Sequence, residues 1–526
     1  MLNKNVQNTK QTGILRESKR GILHMIFGRS MVILVLLLLQ VGVLFFGLFS
    51  LAQYVPYLFG SVLAFTAIML LYILNRPGNP TIKLTWCIII AILPAFGALL
   101  YCYVQLELGH RLEQKLIEIT VRESRPYVPE QLELMERIRQ EDKDLYNLAY
   151  YMRSNAGAFV CENTDVRYFP LGEDKFAEML IQLEKAERFI FLEYFAIAKG
   201  QMWSQILEIL VRKANQGVEV RVMYDGTSAV FALPYNYPKE LERLGIRCKM
   251  YSPLRPLVST HYNNRDHRKI LVIDGHTAFT GGVNLDDRYI NQQKAFGHWK
   301  DAAIMVKGEA ARGFTLLFLQ MWNATEKERT YEPYLQPIDY DGNGSGYVIP
   351  YGDSPMDKEN VGEMVYLNIL NQAKNYVYIM TPYLILDNEM VTALRFAAKR
   401  GVDVRLILPH IPDKRYAFVL AKTHYKELIK AGVKIYEYTP GFVHAKVFLS
   451  DDRHGVVGTI NLDFRSLYLH FECAAYLYGI PALQDIKRDF CDTAEKSHLV
   501  TMDDVRKQGP LTKLAGAVLK VAAPLM

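Results

Sequence analysis

HRKILVID, residues 267–274, sets a histidine and a lysine two positions apart, then runs apolar into an aspartate. HAKVFLSD, residues 444–451, repeats the pattern: histidine, any residue, lysine, four residues, aspartate. Residues two apart on a strand face the same way, so His267 and Lys269 share one face, as do His444 and Lys446. Asp274 and Asp451 stand at odd offsets from their histidines and face away, which predicts a structural role. Asp274-Gly275 is a hairpin signal, and the returning strand TAFTGGVN carries Asn284 back beside the first pair. GVVGTIN returns Asn461 in the same way. The glycines before each asparagine let the backbone approach a ligand closely.

The likeness extends outward from these strands. FAEMLIQLEKA, RFIFLEYFAI, SQILEILVRKANQ and GVEVRVMYDG precede the first copy; EMVYLNILNQA, NYVYIMTPYLIL, NEMVTALRFAAKR and GVDVRLILPH precede the second. His267 and His444 are 177 positions apart, as are Asn284 and Asn461. Strands alternating with helices of this length predict an α/β fold. It comprises two repeats, 157–337 and 361–509, each a mixed β-sheet flanked by helices, joined by a Gly-, Asp- and Pro-rich linker at 338–360. If the repeats pack about a pseudo-two-fold axis, two His, two Lys and two Asn line one pocket.

Residues 30–106 read as a membrane region with two or three spans, behind a basic N-terminus (1–29) placed in the cytoplasm. The 46 uncharged residues between Arg29 and Arg76 would extend about 69 Å as helix, enough for two crossings. The run from Leu84 to Leu106 predicts a third span, unless Pro94 and Gly97 break it into a re-entrant hairpin, which reverses the side on which the rest lies. Residues 107–156, rich in Glu, Arg, Lys and Leu, read as an amphipathic, solvated helical connector. The tail 510–526 reads either as an interfacial helix or as packing on the second domain. Six cysteines without paired spacing indicate neither a disulfide framework nor a zinc site. The net charge of +6 fits an anionic membrane surface better than nucleic acid.

Lysine and asparagine donors suit phosphate oxygens, and histidine can attack or move a proton near neutral pH. The chemistry implied is phosphoryl transfer through a phosphohistidine, with no metal and no cofactor.

The motifs HxKxxxxDx6GGxN and HxKxxxxDx6GTxN, with GGVNLDDRY and NLDFRSLYLHFE, resemble the two HKD motifs of the phospholipase D superfamily. With NRPGNPTIKLTW and LPAFGALLYCYV in the apolar region, the chain is similar within it to bacterial cardiolipin synthases. The resemblance implies His267, Lys269, Asp274, His444, Lys446 and Asp451 as the catalytic motif residues, with His267 as nucleophile and His444 as acid and then base. Asn284 and Asn461 would bind phosphate beside the lysines. Asp301 and Glu472, at matching places in WKDAAI and HFECAA, would each orient its own histidine. Thr459, where the first motif has glycine, is expected to matter little. The resemblance further implies a multi-pass protein of the cell membrane. It would join two phosphatidylglycerol molecules into cardiolipin among the membrane lipids; oligomeric state stays open.

Alternatives are a hydrolytic phospholipase D, a nuclease, another phosphatidyltransferase, or a non-catalytic membrane scaffold. A nuclease is disfavoured because no basic stripe carries interleaved aromatics, and a scaffold because both motifs are intact. Glu193 and Tyr383, at corresponding strand ends, are even candidates for headgroup contact or core packing. His261, Arg265 and Asp266 read as loop residues beside the first motif.

Overall fold

The computed structural model describes residues 55–525 and also Leu38 and Gly42, apart from 106, 107, 254–263, 339, 341, 343 and 358. It divides into two units, and the larger one carries both repeats.

In the first repeat the strands are β1 (Thr164–Phe169), β2 (Phe189–Tyr194), β3 (Glu219–Asp225), β4 (Arg247–Tyr251), β5 (Lys269–Ile273), β6 (Thr277–Gly281) and β7 (Ala303–Gly308). They form one sheet in the order β1-β7-β6-β5-β2-β3-β4. In the second repeat they are β8 (Tyr347–Asp353), β9 (Tyr376–Met380), β10 (Asp403–Pro409), β11 (Lys434–Tyr438), β12 (Val447–Ser450), β13 (His454–Gly458), β14 (His470–Tyr478) and β15 (Ser497–Leu499). Their order, β8-β14-β13-β12-β9-β10-β11-β15, reproduces the first sheet and adds one edge strand. Each sheet is mixed: β2 pairs parallel with β3 and antiparallel with β5, and β9 does the same with β10 and β12. Central strands of this kind are covered on both faces, and β2, FIFLEY, is buried at every position.

Between the sheets the helix Glu309–Asn323 is apolar nearly all round, as a core helix must be, and its Phe314, Phe318 and Leu319 are fully buried. It shares one core with Phe191, Val272 and Ile304 of the first repeat and Tyr378, Leu449 and Ala475 of the second. The two repeats are therefore one hydrophobic body.

Two expectations change here. The linker at 338–360 contains β8, an edge strand that tolerates Pro350 and pairs with β14 over seven residues. The connector is three helices, Leu108–Ser124, Leu132–Glu141 and Lys143–Ala156. Their Ile117, Ile138, Leu145, Leu148 and Met152 are buried in the two cores. The amphipathic pattern reports docking on the domain, not a solvated spacer.

In the smaller unit, α1 spans Val55–Asn75, α2 Pro80–Ile92 and α3 Pro94–Gln105. Most of the first apolar run lies outside the described residues. Among the described residues no helix is long and apolar enough to cross a membrane. The side chains of α1 are described only from Gly60, a stretch that rises about 24 Å against the ~30 Å of a bilayer core. The third run is not one span: it stops at Leu93, and α3 folds back on α2. Pro94 starts the new helix. Gly97 sits so close to α2 that a Cβ there would lie 2.9 Å from the Ile89 carbonyl oxygen. The Trp86 and Tyr101 rings meet edge to face at 5.2 Å. Pro94 and Gly97 thus make a helical hairpin.

Candidate active site

Two short parallel ladders bridge the repeats and set the site. His298–Lys300 pairs with Gly441–Val443, placing Val443 opposite Lys300. Arg265–Asp266 pairs with the start of β14, placing Phe471 opposite Asp266. One residue further along each ladder, His444 comes opposite Asp301, and His267 opposite Glu472. The backbone continues the pairing, with the His444 N–H donating to the Lys300 carbonyl at 2.7 Å and the His267 N–H to the Phe471 carbonyl at 2.9 Å.

The side chains follow. His444 Nδ1 lies 2.8 Å from Asp301 Oδ2, and His267 Nδ1 lies 2.9 and 3.0 Å from the two oxygens of Glu472. Each carboxylate therefore holds the histidine of the other repeat. The expectation that each orients its own histidine is corrected: docking of the sheets, not sequence proximity, decides the partner.

All four groups are buried. Burial drives the His267 imidazole well below its ordinary pKa; burial, with the Lys446 charge, pulls His444 down to about 4. Burial alone would raise both carboxyls, but the histidine partners hold Glu472 well below the ordinary range and Asp301 at about 2. At neutral pH the pairs are neutral imidazole and carboxylate. With Nδ1–H donated to the carboxylate, the Nε2 lone pair is left for chemistry, the tautomer being fixed by that hydrogen bond.

His267, His444, Asn284 and Asn461 line one cleft of about 200 Å³. The lysines do not. Lys269 and Lys446 lie beneath it, fully buried, each donating to the carbonyl of its own histidine, at 2.6 Å for Lys269. Burial lowers Lys269 to about 8 and Lys446 to about 7. They bring positive charge to the cleft floor from behind. Asn284 donates to Tyr289 Oη at 2.7 Å and accepts from the Ala196 N–H at 3.1 Å. Asn461 Oδ1 has no hydrogen-bond partner among the described residues.

Asp274 and Asp451 lie away from the cleft, and their place among catalytic residues is corrected. The Asp274 carboxylate accepts from the N–H groups of Glu187, Arg188 and Phe189 at 2.7–2.8 Å, at the start of β2. Asp451 does the same for Lys374, Asn375 and Tyr376 before β9. Both sit at positive φ in the turn, turned away from the cleft as their parity predicted.

Thr459 matters more than its size implied. Its hydroxyl donates to Glu472 Oε2, and Ser466 Oγ donates to Glu472 Oε1 at 2.7 Å, so the carboxylate is locked. The equivalent residue, Gly282, leaves room for Asp301, whose Oδ1 would lie 2.0 Å from a Cβ there. Tyr383 lines the cleft, while Glu193 is fully buried beside Asp266 and Arg268 and does not reach it. Asp266 is buried in the bridging ladder with Arg265, not in a loop; His261 lies outside the described residues.

Three further residues of the cleft wall escaped the sequence reading. Arg288 and Arg465 stand four positions after Asn284 and Asn461, a matched offset that could have marked them. His470 lies 5.4 Å, ring to ring, from His267, and neither of its nitrogens has a hydrogen-bond partner among the described residues. Among the described residues, His267, His470 and Glu472 form the one group whose donor atoms are close enough to share a metal ion. The His267–Glu472 contact is already a hydrogen bond.

The fold is a duplicated α/β build, and its candidate site is a cleft that two reciprocally held histidines share. Comparison with known proteins agrees. The family described as cardiolipin synthase, PLD-like domain, matches residues 179–322 and 366–493. A cardiolipin synthase 2 of Bacillus anthracis is 33% identical over 470 residues, covering 89% of this chain and 90% of that one. An uncharacterised protein of Streptococcus mutans is 52% identical over 456 residues, 87% of this chain and 99% of its own. In fold alone, the chain is similar to the solved phosphatidylserine synthase of Haemophilus influenzae, with a TM-score of 0.55 at 15% identity over 73% of this chain and 98% of that one. The chain belongs to the cardiolipin synthase family of the phospholipase D superfamily and is an enzyme of the phosphatidyltransferase type.

Proposed function

We propose that this enzyme transfers a phosphatidyl group from one phosphatidylglycerol to another, giving cardiolipin and glycerol. The observation that carries the reading is the reciprocal pairing: two histidines, each fixed by the other repeat's carboxylate, in one cleft. His267 Nε2 attacks phosphorus of the first lipid; the bond from phosphorus to the headgroup glycerol breaks, and His444 gives that oxygen its proton. A terminal hydroxyl of a second phosphatidylglycerol then attacks the phosphatidyl-histidine. His444 takes its proton, and the P–N bond breaks.

The His444 proton is costly in the free site and becomes favourable once an anionic phosphate enters. The lysine charges and the asparagines offset developing charge on the phosphoryl oxygens. Assigning His267 as nucleophile fits its partner: Glu472 is locked by two hydroxyls, so this imidazole is the more rigidly aimed.

A cleft of about 200 Å³ holds a phosphate and headgroup but not acyl chains, which would stay in a bilayer. The uncharged N-terminal run, with Leu63, Ile68, Leu71 and Leu74 of α1 all more than half exposed, supports multi-pass anchoring in the cell membrane, with α2 and α3 as a re-entrant hairpin. The alternative acceptor is water, which would make the enzyme a hydrolase.

Reconstitution in phosphatidylglycerol vesicles with chelator tests this. Cardiolipin and glycerol in equal amounts, both lost in His267→Ala and His444→Ala, are expected. Phosphatidic acid in place of cardiolipin would make water the acceptor.

A further inference from the structure

Beside the catalytic cleft the second repeat carries a surface that the reaction does not use. The helix α4 (Arg415–Ala431) packs against α5 (Pro510–Ala522). Gly516 makes the contact close, since a Cβ there would stand 2.8 Å from Thr423 Cγ2. On the opposite face of α5, Leu511, Leu514 and Val518 are 80%, 63% and 64% exposed. Their spacing of three and four residues makes them one ridge.

Between these helices and the segment before α5 runs a groove of about 550 Å³, walled by Lys422, Lys426, Lys430, Arg506, Lys513 and Lys520 and by no carboxylate. Lys422, Lys520 and Arg506 have acidic partners at its rim, in Glu437, Glu427 and Asp503. Lys426 and Lys430 have no ion pair among the described residues. Just beyond α5, Ala523 lines the catalytic cleft together with Tyr416 and Ala417 of α4.

An exposed apolar ridge on a helix whose adjoining groove carries an excess of cations, Lys426 and Lys430 among them without ion pairs among the described residues, is the pattern of a helix lying in a bilayer interface. Acyl chains cover the apolar side, and anionic headgroups meet the lysines. We propose that α5 and the six-cation groove form a docking site for a bilayer of anionic phospholipid, which holds the cleft mouth against the membrane surface. The site shares no residue with the catalytic groups, and its occupation needs no turnover.

The test is hydrogen exchange on the full-length His267→Ala protein, which leaves the lipid unconsumed. The protein is reconstituted in nanodiscs of phosphatidylglycerol or of phosphatidylcholine. Amides of 510–522 are expected to exchange at least tenfold more slowly in phosphatidylglycerol. The difference should vanish in Leu511→Glu/Leu514→Glu and shrink in Lys426→Glu/Lys430→Glu, with β5 as the folding control in both. Equal exchange of 510–522 in the two lipids would overturn the proposal. So would equal protection by soluble glycerol 3-phosphate added to phosphatidylcholine discs, which would make the groove a site for a free anion. Because the catalytic histidine is absent throughout, failure of the proposed reaction leaves this result intact.

Discussion

His444 and Asp301 are 2.8 Å apart although 143 residues separate them, and the mirrored pair, His267 and Glu472, spans 205 residues. Neither repeat can hold its own histidine in working orientation, so the site exists only when both are docked. In the proposed reaction the carboxylates act as positioning groups. Asp301→Asn and Glu472→Gln are expected to lower kcat by about 100- to 10,000-fold, as loss of a histidine-orienting carboxylate does. The crossing has a residue-specific signature in diethyl pyrocarbonate labelling read by mass spectrometry. Glu472→Gln should change the modification rate of His267 and leave His444 alone, and Asp301→Asn should do the opposite. The reverse assignment would refute the crossed pairing.

The buried lysines predict the alkaline limb of the pH profile. Lys446 and Lys269 sit near 7 and 8 because burial disfavours their charge. Each is cationic below its own value and loses its charge as pH rises through it. The charge that attracts phosphate is thus present at pH 6 and largely gone by pH 9. We expect kcat/KM in lipid vesicles to fall from about pH 7 upward, more than tenfold by pH 9. A bound anionic phosphate favours the ammonium form, so the limb in kcat should lie at higher pH. Lys446→Gln should lower kcat/KM about 100-fold and remove the lower inflection. A flat profile from pH 6 to 9 in the wild type would contradict the lysine argument.

Thr459 and Gly282 occupy matching motif positions and solve one problem differently. Thr459 ties down Glu472 through its hydroxyl, whereas Gly282 yields its space to Asp301. Thr459→Val keeps the volume and removes one hydrogen bond to a charged group, an effect of about 1.5–3 kcal/mol, so roughly a tenfold or greater loss in kcat follows. Thr459→Ser should restore most of it. Gly282→Thr places a Cβ on the Asp301 carboxylate and should abolish activity. Wild-type rates in Thr459→Val would mean that Ser466 suffices.

Much of this was legible in local pattern. The odd offset of Asp274 turned it away from the histidine, and the equal spacings announced a repeat whose two sheets have the same strand order. Long-range register was not legible. That Asp301 meets His444 depends on a three-residue ladder between chain segments far apart in sequence, and nothing in WKDAAI encodes it. Depth was also hidden, because parity gives the face of a strand but not whether a long side chain reaches the surface. Lys269 and Lys446 were placed on one face with their histidines, yet the histidines lie just outside the strands and the lysines end beneath the cleft. Glu193 and Tyr383 looked equivalent, but only Tyr383 faces the cleft; Glu193 is turned into the pocket of buried charge around Arg268. The Lys143–Ala156 helix misled for a different reason: a polar stripe says that one face is wet, and not that the other face is free.

Asp274 and Asp451 offer the sharpest separation of stability from chemistry. Each carboxylate gathers three backbone N–H groups at the start of a central strand, so replacement by alanine strands three donors. At Asp274, where the turn is largely buried, such a loss costs about 2–5 kcal/mol; at Asp451, where Lys374 and Asn375 are exposed, it costs less. Nothing connects these carboxylates to the cleft, since each lies at the far end of the strand that follows its histidine. Asp274→Ala and Asp451→Ala should therefore lower the denaturation midpoint by several degrees, while the folded fraction keeps wild-type kcat and KM. Asp274→Asn retains one acceptor oxygen and should fall between. The check is thermal unfolding followed by circular dichroism, paired with lipid assays well below the midpoint and normalised to folded protein. If either alanine variant were thermally unchanged yet catalytically dead, that aspartate would have to act on the chemistry after all. The shared turn would then be an accident of geometry rather than the reason for the residue.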